Sequence, residues 1–459
     1  MAATNNSTDP DPTRHVAVLA FPFGTHAGPL LSLVRELSTA APDVKFSFLS
    51  TSRSNKALFS SESSERAEIK VVPFDVGDGT REGSAPPGNL IEAVDAFLNA
   101  VPENFERGLV EAEKVVGVKI GCVVSDAFFW FAGQMAGERR IPWVPLWTSG
   151  PRPLLSIMYI DEIRRRFGAR ENNKDEILDF LPGFSSFQIT DLSAGIIIPP
   201  ETSESPFDIM LHKMAHALPK ANAVVINSFH QIDSQISTHL KTQFKKFLNV
   251  GPFTLMTTSQ NPKHKYDSNG CLEWLSGHNP ASVVYVSFGS MVTPHPDKMA
   301  VLAEALKASG FSFLWSYRGQ ETPLVEETLE GKLVSWAPQV EVLKHPSVGV
   351  FVTHCGWNSI LESIVGGVPL ICCPIFGDQM TNRRTIEQVW GIGVGVEVEG
   401  VMSKHGVLKA LRSVLVEEEG KGMRRRIRAM KKLAFEAVDS VDGSSSKDFN
   451  ELVEIITTG

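Results

Sequence analysis

The residues whose types and spacing suit a charged ligand lie in one stretch, between positions 336 and 379. His354, Gly356 and Ser359 follow the apolar run 348–352 and precede an apolar helical segment. An unbroken apolar run is typical of a parallel strand that is buried on both faces. Where such a strand turns into a helix, the free N–H groups of the helix favour anions, and a small residue lets a phosphate approach the backbone. This turn therefore predicts a phosphate-binding site.

Residues on both sides of the turn offer groups for the rest of a nucleotide sugar. Trp336 supplies a flat face for a base, and Glu362, Asp378 and Gln379 suit sugar hydroxyls. Each residue also has a purely structural interpretation: Ser359 and Glu362, for example, have the spacing of a helix capping box. Because all of these residues fall within the single stretch 336–379, a nucleotide-sugar site explains their presence better than chance does.

A second pair of residues is suited to proton transfer. His26 lies where the first predicted strand gives way to the first helix, and Asp126 ends the predicted strand 121–125. Parallel strands bring their carboxyl ends to one edge of a sheet, so both side chains should face the same cleft. A carboxylate that fixes the tautomer of a histidine and steadies its protonated form makes that histidine a candidate general base. The alternative is a structural histidine at a helix start.

The pattern around these residues predicts two α/β units. Short apolar runs alternate with amphipathic segments, which is typical of parallel sheets. In the first half of the chain the predicted strands are 15–21, 44–50, 69–74, 121–125, 143–147 and 223–227. In the second half they are 283–287, 311–317, 332–334, 348–352 and 369–373. The architecture that follows is two Rossmann-like parallel-sheet domains facing a cleft.

The length of 459 residues is enough for two domains. We predict a disordered start over 1–14, an N-terminal domain over 15–250, a linker over 251–270, a C-terminal domain over 271–435 and a final helix over 436–459. The glycine-rich stretch 391–395 resembles a dinucleotide-binding fingerprint. It follows a helix and precedes a strand, however, which is the reverse of what a pyrophosphate-binding turn requires.

Composition excludes several classes of partner. A net charge of −8 argues against nucleic acid and against an anionic membrane surface. The five cysteines show neither paired nor metal-like spacing, which favours a reducing compartment. No stretch approaches the roughly 20 apolar residues of a membrane helix. The first fourteen residues lack the apolar core of a signal peptide. These features predict a cytoplasmic protein.

Beyond these patterns, the stretch 336–379 resembles the signature box of plant secondary-product glycosyltransferases, UDP-dependent enzymes that act on small molecules. The match runs from WAPQ through HCGWNS to the closing DQ. Outside the box, AFPFGTHAGPLL, VVSDAFFWFA and LWTSGP resemble the subgroup that glycosylates the 3-hydroxyl of flavonols and anthocyanidins. The resemblance implies the GT-B fold, in which the final helix packs back on the N-terminal domain.

The chemistry expected of such a protein is direct displacement with inversion at the anomeric carbon of UDP-glucose. His26, supported by Asp126, would deprotonate the acceptor hydroxyl. Ser290, His354 and the N–H groups of the following helix would hold the charge that develops on UDP. No Asp-x-Asp motif is suitably placed, so neither a metal nor another cofactor is expected beyond the co-substrate UDP-glucose.

The resemblance implies a role for each donor-site residue. Trp336 would stack on the uracil, Gln339 and Glu362 would bind the ribose, and Trp357, Asp378 and Gln379 would hold the hexose. The expected donor-binding residues are Thr25, Thr148, Ser290, Trp336, Ala337, Gln339, His354, Gly356, Trp357, Asn358, Ser359, Glu362, Asp378 and Gln379.

The acceptor side is less specific. The expected residues are Phe23, Gly24, Phe128, Arg152, Phe207 and Phe376. The phenylalanines would form apolar walls for a flat polyphenol, although each of them suits an ordinary core equally well. Two residues depart from the family pattern. Arg152 stands where His or Asn is usual, and Cys373 stands where a basic residue is usual.

Three functions stay open at this point. The leading one is glucose transfer to the 3-hydroxyl of a flavonol or anthocyanidin by a monomer. The second keeps the fold and the donor site but glycosylates another phenol, another position or a carbon atom, or uses UDP-galactose. Gln379 at the end of the box favours glucose in this family. The third, from a different class, is a nucleotide-sugar binder without catalysis.

Overall fold

A computed structural model describes residues 14–59, 71–80, 90–168, 176–193, 195–197, 204–256, 267–289, 294–318, 330–398 and 401–458. Within these ranges two parallel sheets are each covered by helices on both faces. All five cysteines are buried and none forms a disulfide bond, in keeping with the spacing argument. None of the described helices combines the length and the hydropathy that a membrane crossing needs.

The first sheet carries the N-terminal half of the chain. Its strands are β1 Arg14–Leu19, β2 Val44–Ser50, β3 Val71–Asp75, β4 Ile120–Asp126, β5 Trp143–Trp147, β6 Val224–Ile226 and β7 Phe247–Asn249. They lie in the order β3-β2-β1-β4-β5-β6-β7, so the chain changes direction of winding between β1 and β4. Both faces of β1 are buried, which accounts for its unbroken apolar run.

The second sheet carries the C-terminal half. Its strands are β8 Val283–Ser287, β9 Ser312–Ser316, β10 Gly331–Val334, β11 Val348–Thr353, β12 Leu370–Cys372 and β13 Gly393–Gly395. Their order, β10-β9-β8-β11-β12-β13, is that of dinucleotide-binding sheets, with the switch point between β8 and β11. The glycine-rich stretch forms the edge strand β13, which confirms that it is not a pyrophosphate-binding turn. A short antiparallel pair, β14 Glu397–Val398 and β15 Val401–Met402, follows.

Helices connect the strands in both halves. In the first half they are α1 Ala27–Ala40, α2 Ser52–Phe59, α3 Leu90–Ala100, α4 Glu103–Val116, α5 Trp130–Arg139, α6 Pro151–Met158, α7 Ile160–Phe167, α8 Pro206–Ala217, α9 Ser234–Gln243 and α10 Phe253–Met256. In the second half they are α11 Cys271–Ser276, α12 Pro296–Ser309, α13 Gln339–Lys344, α14 Trp357–Gly366, α15 Gln379–Arg384, α16 Lys404–Leu415, α17 Glu418–Ala437 and α18 Ser444–Thr458. Single turns of 3₁₀-helix occur at Ile189–Asp191, Leu218–Lys220 and His230–Ile232, and Thr385–Trp390 is π-helical.

The last helix returns to the first sheet, as expected. Leu452 and Ile456 of α18 are fully buried in the same core as Val16 of β1. The backbone N–H of Asn249, at the end of β7, donates to Asp448 Oδ2 at 2.7 Å. The final helix therefore completes the core of the N-terminal half. The exact domain boundaries given above stay predictions, and residues 1–13 lie outside the described ranges.

The buried face of α18 generates a stability prediction. Replacing Leu452 by Ala should lower the free energy of unfolding by about 2–5 kcal/mol, because truncation leaves a cavity in a packed core. Denaturant unfolding measures the change. As a control, Val441→Ala removes methyl groups from a side chain that is 78% exposed and should cost less than about 0.5 kcal/mol. Equal effects of the two substitutions would contradict the packing of α18.

Candidate active site

Polar residues stand at the carboxyl end of the strands that flank each switch point. On the first sheet, His26 follows β1 and Asp126 ends β4; on the second, His354 follows β11. Open α/β sheets bind ligands at this edge. The two edges face each other, because the indole N–H of Trp357 after β11 donates to the carbonyl oxygen of Asn227 after β6 at 2.8 Å. The sheets thus enclose one cleft between their ligand-binding edges.

The predicted pair of His26 and Asp126 is in contact. His26 Nδ1 lies 2.8 Å from Asp126 Oδ2 and 3.0 Å from Thr148 Oγ1. Asp126 is only 1% exposed, and its other oxygen accepts the N–H of Phe128 at 2.9 Å. Since a carboxylate can only accept, the neutral imidazole carries its hydrogen on Nδ1 and keeps the lone pair of Nε2 for a substrate. Gly24, at φ +72°, makes the turn that brings His26 to this position.

Aromatic rings surround this histidine. The ring of Phe128 lies 4.6 Å from that of His26, and Phe207 of α8 lies edge-on to Phe128 at 5.8 Å. Phe21 lies 5.2 Å from the His26 ring, and Phe23 packs on Phe21 at 5.4 Å. The first half of the chain therefore supplies an apolar wall next to the imidazole.

Two of the expected acceptor residues, Phe376 and Arg152, lie in surroundings different from those of the aromatic residues around His26. Phe376 is 50% exposed on the loop between β12 and α15, and no ring contact among the described residues joins it to the aromatic wall. Arg152 is 4% exposed, and its Nε lies 2.7 Å from Asp233 Oδ2. Its guanidinium also lies over the rings of Phe184 and Phe187.

The structure thus places Arg152 in a buried ion pair, and its assignment to the acceptor side stays a prediction. Burial raises the pKa of Asp233 and lowers that of Arg152, and each charge offsets the cost of burying the other. The sequence could not reveal this role, because the partner Asp233 is distant along the chain.

Residues 354–356, the turn predicted to bind phosphate (the phosphate turn), connect β11 to α14. Helix α14 begins at Trp357 with Gly356 as its N-cap, so the N–H groups of the first turn have no intrahelical acceptor. Beside them, burial lowers the pKa of His354 to about 4, which keeps its imidazole neutral at pH 7. Its Nδ1 is buried with no hydrogen-bond partner among the described residues. A buried, unpaired ring nitrogen next to a helix N-terminus suits an oxyanion.

Helix α14 also settles the alternative interpretation of Ser359 and Glu362. Since Gly356 is the N-cap, Ser359 is the third residue of the helix, and the capping box is wrong. The side chains of both residues instead meet Gln339, whose Nε2 donates to Ser359 Oγ at 3.0 Å and to Glu362 Oε2 at 2.7 Å. Gln339 Oε1 accepts the hydroxyl of Tyr285 at 3.1 Å. Gln339 therefore orients Glu362.

The carboxyl group of Glu362 has an unusual proton affinity. Burial raises its pKa to about 7, against the opposing effect of the hydrogen bond from Gln339. Trp336, three residues before Gln339, keeps 36% of its surface exposed, and Ala337 beside it is buried. An exposed indole face and a carboxylate that can accept from hydroxyl groups are the two features that a nucleoside needs.

The hexose end of the expected site spans both halves of the chain. Asp378 Oδ2 accepts hydrogen bonds from the hydroxyl of Ser149 and from Asn382 Nδ2, the latter at 2.7 Å. Burial raises the pKa of Asp378. Gln379 is 4% exposed, and its Oε1 accepts the N–H groups of Ile375 and Phe376. The side-chain group of Gln379 that stays available for a sugar is the Nε2 donor.

Three further residues of the expected donor set can be placed. The indole N–H of Trp357 is committed to Asn227 and its ring is 5% exposed, so this N–H does not hold a sugar; its backbone N–H remains available. Asn358 Oδ1 accepts from Asn227 Nδ2 at 3.4 Å. Thr25 is exposed in the turn before His26. Ser290 lies outside the described residues.

Sequence reasoning missed four polar residues of this cleft. They are Ser149, Asn227, Tyr285 and Asn382. Two signals were available. Asn227 directly follows β6 and Ser149 lies two residues after β5, both at strand ends, and Asn382 lies one helical turn beyond Asp378. Tyr285 lies inside an apolar strand, so nothing local distinguishes it from a core residue.

Comparison with known proteins agrees with this geometry. The model of the family described as UDP-glucoronosyl and UDP-glucosyl transferase matches residues 50–432. The chain belongs to this family. It is a glycosyltransferase, and its two facing parallel sheets are the GT-B fold.

Similar proteins differ in the sugar that their names give. A flavonol 3-O-glucosyltransferase from Actinidia chinensis var. chinensis is 48% identical over 97% of either chain. An anthocyanidin 3-O-galactosyltransferase from the same plant is 46% identical, over 96% of this chain and 97% of its own. A solved UDP-glucose: anthocyanidin 3-O-glucosyltransferase in complex with UDP is 36% identical, with a TM-score of 0.88 over 98% of this glycosyltransferase and 100% of that chain.

The turn before α14 generates a binding prediction. A Cβ at Gly356 would lie 2.4 Å from His354 Nε2, so Gly356→Ala must displace the imidazole. Loss of one hydrogen bond to a charged phosphate should weaken UDP-glucose binding by about 1.5–3 kcal/mol, roughly 10- to 150-fold. Calorimetric titration measures it. Gly28→Ala, where a Cβ meets nothing within 4 Å, is the matched control. Unchanged affinity in Gly356→Ala would contradict the placement of the diphosphate.

Proposed function

We propose that this glycosyltransferase transfers glucose from UDP-glucose to the 3-hydroxyl of a flavonol or an anthocyanidin, with inversion at the anomeric carbon. The observation that carries the proposal is the buried Asp126 on Nδ1 of His26, which leaves the lone pair of Nε2 for a substrate on a ring that packs beside Phe21 and Phe128. The names of the relatives support the acceptor class.

His26 acts as the general base. Its Nε2 takes the proton of the 3-hydroxyl while the oxygen bonds to the anomeric carbon and the bond from that carbon to the UDP oxygen breaks. Asp126 stabilises the imidazolium that forms, and Thr148 helps to keep Nδ1 in place. Asp378 faces His26 from the other side of the cleft and adds a favourable interaction with the same charge.

The second sheet stabilises the leaving group without a metal ion. The neutral imidazole of His354 and the N–H groups at the start of α14 are aimed at the phosphate that leaves, where charge develops in the transition state. Ser290 is proposed as a further donor from the family resemblance. These hydrogen-bond donors take the role that a metal ion or a cluster of basic residues would have, in a protein whose net charge is −8.

The remaining donor contacts follow from the groups that stay accessible. Trp336 stacks on the uracil, and Glu362, held by Gln339, accepts from the ribose hydroxyls. Asp378 accepts from the hexose in place of Ser149, and Gln379 donates through Nε2. On the other side, Phe23, Phe128 and Phe207 face the flat acceptor.

UDP-galactose is the second candidate donor, because a relative named for galactose transfer is nearly as similar as one named for glucose transfer. The decisive experiment compares both UDP-sugars, each with a flavonol and with the matched flavone that lacks only the 3-hydroxyl. We expect one hexose on O-3 of the flavonol, mainly from UDP-glucose, by mass spectrometry and NMR. Equal turnover of the flavone would contradict the regiochemistry. An acid-stable carbon-linked product would contradict O-transfer.

The assigned base gives a kinetic prediction. His26→Ala should lower kcat by about 10²–10⁴-fold, the usual contribution of a general base. The affinity for UDP should stay unchanged, because the partners of His26 are Asp126 and Thr148 rather than the residues proposed for the uracil, the ribose and the diphosphate. Steady-state kinetics measures the loss of kcat, and titration with UDP measures the affinity. Turnover near that of the unaltered enzyme would refute the base, whereas retained UDP affinity with lost turnover also excludes a role as a mere nucleotide-sugar binder.

The raised pKa of Glu362 gives a pH prediction. Ribose hydroxyls donate to the ionised carboxylate, so binding must remove the proton that Glu362 carries below about pH 7. The affinity for UDP-glucose should therefore level off above about pH 8 and fall by about fivefold as the pH drops from 7 to 6. Titration calorimetry in Glu362→Gln should show weaker binding without that slope. The same slope in both proteins would show that another group titrates.

A further inference from the structure

Three side chains converge on the surface of the N-terminal half, outside the set of residues assigned to the donor and acceptor. Asp161 lies on α7, and His212 and His216 lie on α8. His212 Nε2 is 2.8 Å from Asp161 Oδ1, and His216 Nε2 is 3.1 Å from Asp161 Oδ2. The two Nε2 atoms are 3.3 Å apart. Nothing in the proposed reaction uses these residues.

The spacing of the ligand atoms fits a single small cation. Residues four apart on a helix share one face, so His212 and His216 present their rings side by side to α7. In a tetrahedral zinc site with bonds of 2.0–2.1 Å, neighbouring ligand atoms are roughly 3.3 Å apart. The observed separations of 2.8–3.3 Å differ from that by only a few tenths of an ångström. A metal would need only a small spreading of the cluster.

The chemistry of the ligands selects the kind of ion. Two imidazoles and one carboxylate are the donor set of zinc and similar divalent transition ions, whereas calcium and magnesium prefer oxygen alone. The side chains of Asp161, His212 and His216 are 61%, 38% and 57% exposed, so an ion can enter from solvent and keep a water as its fourth ligand. We propose that Asp161, His212 and His216 form a binding site for a divalent transition-metal ion of the zinc type.

The site joins helices α7 and α8. Arg164 of α7 forms a salt bridge of 2.8 Å with Glu204, just before α8, which links α7 to the start of α8. The metal would link the start of α7 to the second half of α8. Helix α8 also carries Phe207, which packs on Phe128 beside His26. The proposed ion thus clamps the helix that forms one wall of the acceptor space.

The competing explanation is a surface cluster in which both histidines donate Nε2–H to Asp161. The two differ in one respect: hydrogen bonding needs a hydrogen on each Nε2, and metal binding needs both nitrogens free of it. Surface pairs of this kind contribute little to stability. A bound ion, by contrast, stabilises the folded chain by RT ln(1 + c/Kd), where c is the ion concentration, so the stability rises with the logarithm of that concentration.

The test is titration of the full-length protein with Zn²⁺, and with Co²⁺ as a spectroscopic probe, near pH 7.5. We expect one ion per chain, a rise in Tm with Zn²⁺ and the visible absorption of tetrahedral Co²⁺. Loss of a residue that only supports a metal ligand lowers metal affinity by about 10- to 100-fold. Loss of a ligand itself should lower the affinity for Zn²⁺ by at least that factor. His216→Ala and Asp161→Asn should both lose binding by that factor, and far-UV circular dichroism without metal should show that both stay folded.

His295→Ala is the matched control. His295 also lies on the surface with a carboxylate, Asp297, 3.1 Å from its Nδ1, but it belongs to no three-ligand cluster among the described residues. It should bind Zn²⁺ as the unaltered protein does. Absence of Zn²⁺ binding in the unaltered protein, or equal affinity in His216→Ala and Asp161→Asn, would overturn the proposal.

Discussion

The arrangement of the cleft depends on one buried hydrogen bond between the two halves of the chain, from the indole of Trp357 to the backbone oxygen of Asn227. It joins the loop after β6 to the first residue of α14, and so fixes the phosphate turn relative to the first sheet. Leaving either group unpaired in the interface would cost about 1–3 kcal/mol. Asp191 reinforces the alignment by accepting from Thr381 through its backbone and from Arg384 through its side chain, at 2.8 Å in the second case. Because these contacts hold two strand ends in register, groups from different sheets can act on one bond.

In the proposed reaction, the two halves divide the electrostatic work. The first sheet supplies a histidine whose protonated form is supported by a buried carboxylate. The second supplies neutral donors, since burial keeps His354 uncharged and α14 offers backbone N–H groups. Such donors need no reorganisation when charge develops on a phosphate, and they work in a chain whose overall charge is negative. The alternative way to hold a diphosphate is an overall positive potential from Lys and Arg side chains, and a chain with a net charge of −8 does not provide it.

How far the sequence predicted this structure depended on the range of the interactions. Buried parallel strands leave a local signature, so β2, β5 and β8 were predicted with the bounds observed. The contact of His26 with Asp126 followed from the rule that parallel strands end at one edge. The three-residue strands β7 (FLN) and β13 (GVG) were missed, because neither has the unbroken apolar run that marks the equally short β6 and β12.

Local sequence patterns did not predict which side chains from distant parts of the chain contact each other. Arg152 was assigned to the acceptor, yet it pairs with Asp233 in the core, and Trp357 was assigned to the hexose, yet its indole binds Asn227. Both residues were identified by position within a motif, and in both cases a residue from another part of the chain decides what the side chain contacts. Position relative to a strand end was thus predictable, whereas the partner of each side chain was not.

The most direct measurement is a crystal structure of the enzyme with UDP and a flavonol bound together. The account predicts that the 3-hydroxyl lies within hydrogen-bond distance of His26 Nε2, about 2.6–3.2 Å, with Asp126 still on Nδ1. The diphosphate should then lie on the first turn of α14 beside His354. A flavonol whose 3-hydroxyl points away from Nε2, or a His26 ring turned so that Nε2 faces Asp126, would contradict the central claim.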